Sequence, residues 1–198
     1  MKQINKCIVH CSATKRSQDV NAATIRSWHM SKTPPWSDIG YHFVILKGGK
    51  IEAGRHLERM GAHVRGHNSD SIGICLEGGI SEKGKPENNF DEGQFNSLRS
   101  LIDGMKFKYG FTEVKGHRDY SPDKNKDGVI TKDEWLKECP CFDVGEWYAG
   151  SEDRKQEVET QKNDGVVSIL DNVSDSPADN KKDSKSRKSR SSSSKRIS

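Results

Sequence analysis

The chain has 198 residues, 31% hydrophobic and 31% charged, with a formal net charge of +4. All fourteen aromatics, all five cysteines and all seven histidines lie at or before Tyr148, so residues 1–150 can bury a core while 151–198 cannot offset their ordering entropy. No run approaches the ~18 apolar residues of a transmembrane helix, and the N-terminal MKQINKCIVHCSAT lacks the apolar segment of a secretory signal, which predicts synthesis in the cytoplasm.

In chain order, INKCIVH (4–10) reads as a strand ending in a histidine. NAATIRSWHM (21–30) reads as a helix with Ile25, Trp28 and His29 on one face, capped by Asn21 or Asp19. SKTPPWSD carries two prolines and reads as a loop. YHFVILK and KIEAGR, joined by Gly48-Gly49, predict a β-hairpin. Residues 55–70 are irregular, and SIGICLEG (71–78) alternates as a strand.

Asp91 and Gln94 form a capping box for a second helix, with Phe95, Leu98, Ile102, Met105 and Tyr109 on its apolar face. TEVKGH (112–117) is a strand that again ends in a histidine. DEWLKEC predicts a short helix, and FDVGEWYAG closes the compact part. The expected fold is α/β: a mixed central sheet flanked by helices, in a single domain over 1–150. Residues 151–198 are expected to be a charged, low-complexity, disordered tail, net −5 over 151–180 and +7 over 181–198. The compact part is near neutral at +2 and carries no nucleic-acid footprint.

Five cysteines are an odd number, which points to free thiols or metal ligation rather than a disulfide framework. His10, His117 and Cys139 could meet at one sheet edge. Three N and S donors with an open fourth position is the catalytic zinc pattern. Seven histidines and five cysteines allow many such triples, so the residues alone also permit an unrelated set, and Cys141 competes with Cys139. Cys7, Cys11 and Cys75 read as buried thiols, and His29 as core or cleft wall.

VHCSAT (9–14), IRSWH (25–29), DIGYHFVI (38–45), IEAGR (51–55), SIGICLEGG (71–79) and LKECPCFD (136–143) resemble, in order, the zinc-dependent N-acetylmuramoyl-L-alanine amidase family. This family includes the peptidoglycan recognition proteins, and the likeness is nearest to its small phage endolysin members. The resemblance implies His10, His117 and Cys139 as zinc ligands. It implies Tyr41 as the active-site tyrosine beside the metal water and Lys137 as the stabiliser of the oxyanion on the scissile carbonyl. It also implies a substrate-facing histidine at His63. The implied reaction is hydrolysis of the amide between N-acetylmuramic acid and L-alanine in peptidoglycan, by zinc-activated water, by a phage or prophage endolysin that reaches the cell wall after release; the oligomeric state is open, with a monomer as the default expectation. Two other readings accompany it. One is a peptidoglycan-binding module without activity, which relatives usually become after losing the cysteine ligand. The other is a polymerase-regulating partner, for which no residue here speaks.

The chain departs from the family pattern between His117 and Cys139. DKNKDGVITKDE (123–134) satisfies D-x-[DN]-x-[DN]-G-x5-E in full. Asp123, Asn125, Asp127, Val129, Thr131 and Glu134 would supply calcium ligands, with Gly128 at the sharp turn. The alternative is an acidic solvated loop. Pro122 excludes a continuous entering helix, so the expectation is a single EF-hand-like calcium loop rather than a paired EF-hand. The basic tail 181–198 reads as either a solubilising end or an arm that contacts polyanions.

Overall fold

Two six-residue runs buried on both faces form the centre of the sheet. Parallel strands covered by helices on both sides read as near-continuous apolar segments rather than alternating ones. β1 (Lys6–Cys11) and β5 (Ser71–Leu76) fit that rule and pair in parallel, Ile8 opposite Gly73 and His10 opposite Cys75. The computed structural model describes residues 3–150. The expectations for the tail, residues 151–198, lie outside the described residues.

The five-stranded sheet has the order β4-β3-β5-β1-β7, with β3 (Phe43–Ile45), β4 (Ile51–Ala53) and β7 (Glu113–Gly116). Only the β3–β4 pair is antiparallel. The predicted hairpin is therefore present, with shorter strands than YHFVILK and KIEAGR suggested. Its Lys47–Gly49 turn needs left-handed backbone at Gly48 and Gly49, which glycine adopts without strain.

α2 (Glu92–Tyr109) and α3 (Val144–Ala149) cover one face, packing Leu98, Leu101, Ile102, Met105, Val144 and Tyr148 against Cys7, Val9, Ile72 and Ile74. α1 (Ala22–Met30) covers the other, with Ile25 against Ile39, Val44 and Cys75. Asn21 caps α1, and the Asp91–Gln94 capping box is formed. Gln94 is fully buried and its amide also bonds the carbonyls of Ile45 and Glu77, which ties α2 to the sheet. The apolar face of α2 is rotated from the predicted one: Leu101 is fully buried, while Phe95 and Tyr109 are half-buried. A two-stranded sheet of β2 (Thr14–Lys15) and β6 (Gly79–Ile80) has no counterpart in the expectation, because two-residue strands leave no periodic signal.

One element is corrected. DEWLKEC is not a helix. A single 3-10 turn covers Lys132–Glu134, and the chain then runs irregularly to Cys139. Two local forces explain this. The Leu136 N–H is taken by Ser121 Oγ (3.0 Å) instead of a backbone carbonyl. Pro140 disfavours helical backbone at the residue before it.

Candidate metal centre and cleft

Strand alternation decides where His10 points. Cys7 and Val9 of β1 belong to the core beneath α2, so His10 takes the opposite face, shared with its register partner Cys75. The β1–β7 register pairs Val9 with Gly116. The next residues, His10 and His117, therefore emerge side by side at the carboxyl ends of parallel neighbours, with ring centroids 4.8 Å apart. This is the end of an open parallel sheet where ligands ordinarily bind.

The third residue arrives from a distant loop. Arg118 N–H donates to the Cys139 carbonyl (2.9 Å), and Cys11 N–H donates to Cys139 Sγ (3.2 Å). Pro140 packs so closely on Gly116 that a Cβ there would lie 2.7 Å from its Cδ. The ligand atoms of His10, His117 and Cys139 all fall within 4.8 Å of one another, with Cys139 Sγ 4.0 Å from His10 Nδ1.

The electrostatics fit a metal. Burial holds His10 well below the ordinary histidine pKa, helped by His63, His117 and Lys137. Burial, then Lys137, lowers His117 to about 4. Both imidazoles are thus neutral near pH 7, as ligation requires. Two neutral nitrogens and a thiol are a donor set suited to zinc.

A cleft of about 480 Å³ opens over these residues, lined among others by Tyr41, His29, Trp36, Lys32 and Lys137. The Tyr41 ring lies 5.1 Å from that of His10. Burial raises its pKa well above the usual phenol value, with the thiols of Cys75, Cys139 and Cys11 adding to the shift, so it stands as a protonated donor. Lys137 is exposed on the rim. His29 is buried in the cleft wall, where its Nδ1 accepts the Gly40 N–H (2.9 Å). Cys141 also reaches the cleft, but its Sγ donates to the Gly79 carbonyl (3.1 Å).

His63 lines the inner cleft wall and is buried. Both its ring nitrogens face protein partners: Nδ1 lies 3.0 Å from His10 Nε2, and Nε2 lies 3.3 Å from Ser71 Oγ. The sequence reading missed Ser71, a strand serine with no motif around it. It also passed over Lys32, whose Nζ sits 3.6 Å from the centre of the Trp36 ring.

In the 123–134 loop the acidic groups turn onto their own backbone. Asp123 accepts from Lys126 N–H (2.6 Å) and Gly128 N–H (2.8 Å), and Asp127 accepts from Val129 N–H (2.8 Å). Glu134 is buried and accepts N–H groups of Lys124, Asn125 and Thr131, which lower its pKa. Among the described residues, the loop carboxylates do not converge on one point as His10, His117 and Cys139 do.

The chain is similar to several known proteins. A family described as N-acetylmuramoyl-L-alanine amidase matches residues 1–129. The endolysin of Klebsiella phage KP32 is 41% identical over 151 residues, 76% of this chain and 89% of that protein. The endolysin of Escherichia phage T7 is 42% identical over 144 residues, 73% of this chain and 85% of that protein. Among solved structures, the N-acetylmuramoyl-L-alanine amidase LysC from Clostridium intestinale is 29% identical with a TM-score of 0.57, covering 76% of this chain and 86% of that one. The chain belongs to the N-acetylmuramoyl-L-alanine amidase family.

Proposed function

We propose that this protein hydrolyses the amide between N-acetylmuramic acid and L-alanine in peptidoglycan, as a phage or prophage endolysin acting at the cell wall. The observation that carries the reading is the convergence of His10, His117 and Cys139 beneath an open cleft. The intact cysteine speaks against a module that only binds. His10, His117 and Cys139 would hold a zinc ion, which when bound supplies Lewis-acid polarisation of the scissile carbonyl and an acidified water. Tyr41, a protonated phenol beside His10, orients the reacting groups by donating a hydrogen bond. Lys137 brings a cation to the rim, where it stabilises the negative charge that develops on the carbonyl oxygen. No residue forms a covalent intermediate. Mass spectrometry of purified peptidoglycan after incubation with the protein tests this. Free stem peptides beginning at L-alanine are expected, lost on chelation and restored by zinc. Intact peptidoglycan that still sediments with the protein would favour the binding module.

We also propose that the 123–134 loop takes calcium through Asp123, Asn125, Asp127, the Val129 carbonyl, Thr131 and Glu134. The full match to the motif and the left-handed Gly128 support this. Binding would replace some of the backbone bonds the carboxylates now make. Calcium there would also steady the segment that carries Lys137 and Cys139, which meets the loop and its flank through Leu136 N–H to Ser121 Oγ and Lys132 Nζ to Glu138 at 3.5 Å. A monomeric state and polyanion contact through 181–198 complete the proposal. Among the described residues, no helix is long and apolar enough to cross a membrane.

A further inference from the structure

The protons along one buried hydrogen-bond chain can be assigned from its far end. Ser71 Oγ and the His67 carbonyl oxygen are 2.6 Å apart. Two oxygens at that distance need a proton between them, and only the hydroxyl has one, so Ser71 donates to the carbonyl. Ser71 then has no second proton to offer. Toward His63 Nε2, 3.3 Å away, it accepts. A neutral His63 therefore carries its proton on Nε2 and its lone pair on Nδ1. That lone pair faces His10 Nε2 at 3.0 Å, so His10 donates from Nε2. The nitrogen of His10 left without a proton is Nδ1, the one beside Cys139 Sγ.

We infer that His63, backed by Ser71, is a positioning residue that holds His10 in the tautomer and orientation able to bind a metal. The inference rests on the zinc-amidase reading above. It recasts His63 from a substrate contact to an outer partner of a ligand, a role known to tune metal affinity through the far nitrogen of the imidazole.

The surroundings of His63 fit that role. A Cβ added to Gly61 or Gly73 would lie 2.5 or 2.6 Å from His63 Cδ2, so the ring is slotted where only glycine leaves room. Asn68 Oδ1 accepts the N–H groups of His63 (2.8 Å) and Val64 (2.9 Å), which fixes the backbone. His10, His63 and Ser71 are all buried, at 1%, 8% and 0% exposure, so water does not readily replace a lost partner.

The test uses the full chain as wild type, His63→Phe, His63→Asn and Ser71→Ala. Zinc affinity is measured by competition with a chromophoric chelator, and ligand geometry by the absorption of the cobalt-substituted protein. His63→Phe keeps the ring volume but no acceptor and should weaken zinc binding about 10- to 100-fold. His63→Asn places an amide oxygen near the position of Nδ1 and should recover most of that loss, with a cobalt spectrum close to wild type. Ser71→Ala should fall between them. Nitrogen-15 spectra of the metal-free wild type should show His10 protonated at Nε2. Wild-type affinity in His63→Phe overturns the inference, as does failure of His63→Asn to rescue, or a His10 proton on Nδ1. Should His63→Phe fail to fold, unchanged affinity in Ser71→Ala overturns it equally. The two readings fail separately. A wild type that binds zinc but releases no stem peptides removes the amidase while the affinity series still judges His63. A wild type that is active beside a His63→Phe of normal affinity removes the positioning role alone.

Discussion

The backbone N–H of Cys11 donates to Sγ of Cys139 at 3.2 Å, across 128 residues of chain. That N–H fixes the direction of the sulfur and holds it beside His10, at the end of the strand that also carries Cys11. One strand end thus supplies a candidate ligand and the donor that orients another.

Cys139→Ser should therefore abolish the centre rather than weaken it. We expect loss of bound zinc and a fall in amidase rate beyond the about 100-fold typical of outer partners. The fold should persist, because Cys139 is half-buried and outside the main core. Metal content, stem-peptide release and far-ultraviolet circular dichroism check the three parts.

Lys137→Met should leave zinc content unchanged and lower kcat by about 100- to 1,000-fold, the usual cost of one oxyanion donor. KM should move little, since the charge it stabilises develops only in the transition state. An equal change in KM alone would assign Lys137 to ground-state binding.

Acid should destabilise the metal-free protein through its buried histidines. His117 and His29 have folded pKa values of about 4 against an ordinary 6.5, both lowered first by burial. The unfolded chain then binds more protons than the folded one between those values. Stability contributed by keeping them neutral is present above about pH 6.5 and is lost as pH falls toward 4. Urea midpoints between pH 4 and 8 should rise with pH to about 6.5, and this contribution should add no slope above it.

Calcium should raise the thermal midpoint of the wild type and not that of Glu134→Gln. At a hundredfold excess over its dissociation constant, a ligand specific to the folded state stabilises by about 2.7 kcal/mol. Calorimetry with and without calcium reads this directly. Full activity of Glu134→Gln in calcium-free buffer would separate the loop from catalysis.

Leu101→Ala should cost about 2–5 kcal/mol, by lost burial and the cavity left in the core between α2 and the sheet. Chemical denaturation measures it, with activity per folded molecule expected to hold.

Much of this protein was legible along the chain because local rules set it. The Asp91–Gln94 box, the Gly48-Gly49 turn and the apolar runs of β1 and β5 each depend on residues close in sequence. His10, His117 and Cys139 could be singled out mainly through motif order, since nothing near His10 announces Cys139. Tertiary structure decided the rest. Whether 135–138 is helical turned on Ser121, fifteen residues before Leu136, taking its N–H. The surroundings of His63 turned on a strand serine and two glycines that only the folded sheet brings around it. Capping, turns and strand burial are governed by neighbours in the chain. The protonation of a buried imidazole is governed by whichever groups the fold places at hydrogen-bond distance, and those come from anywhere in the sequence.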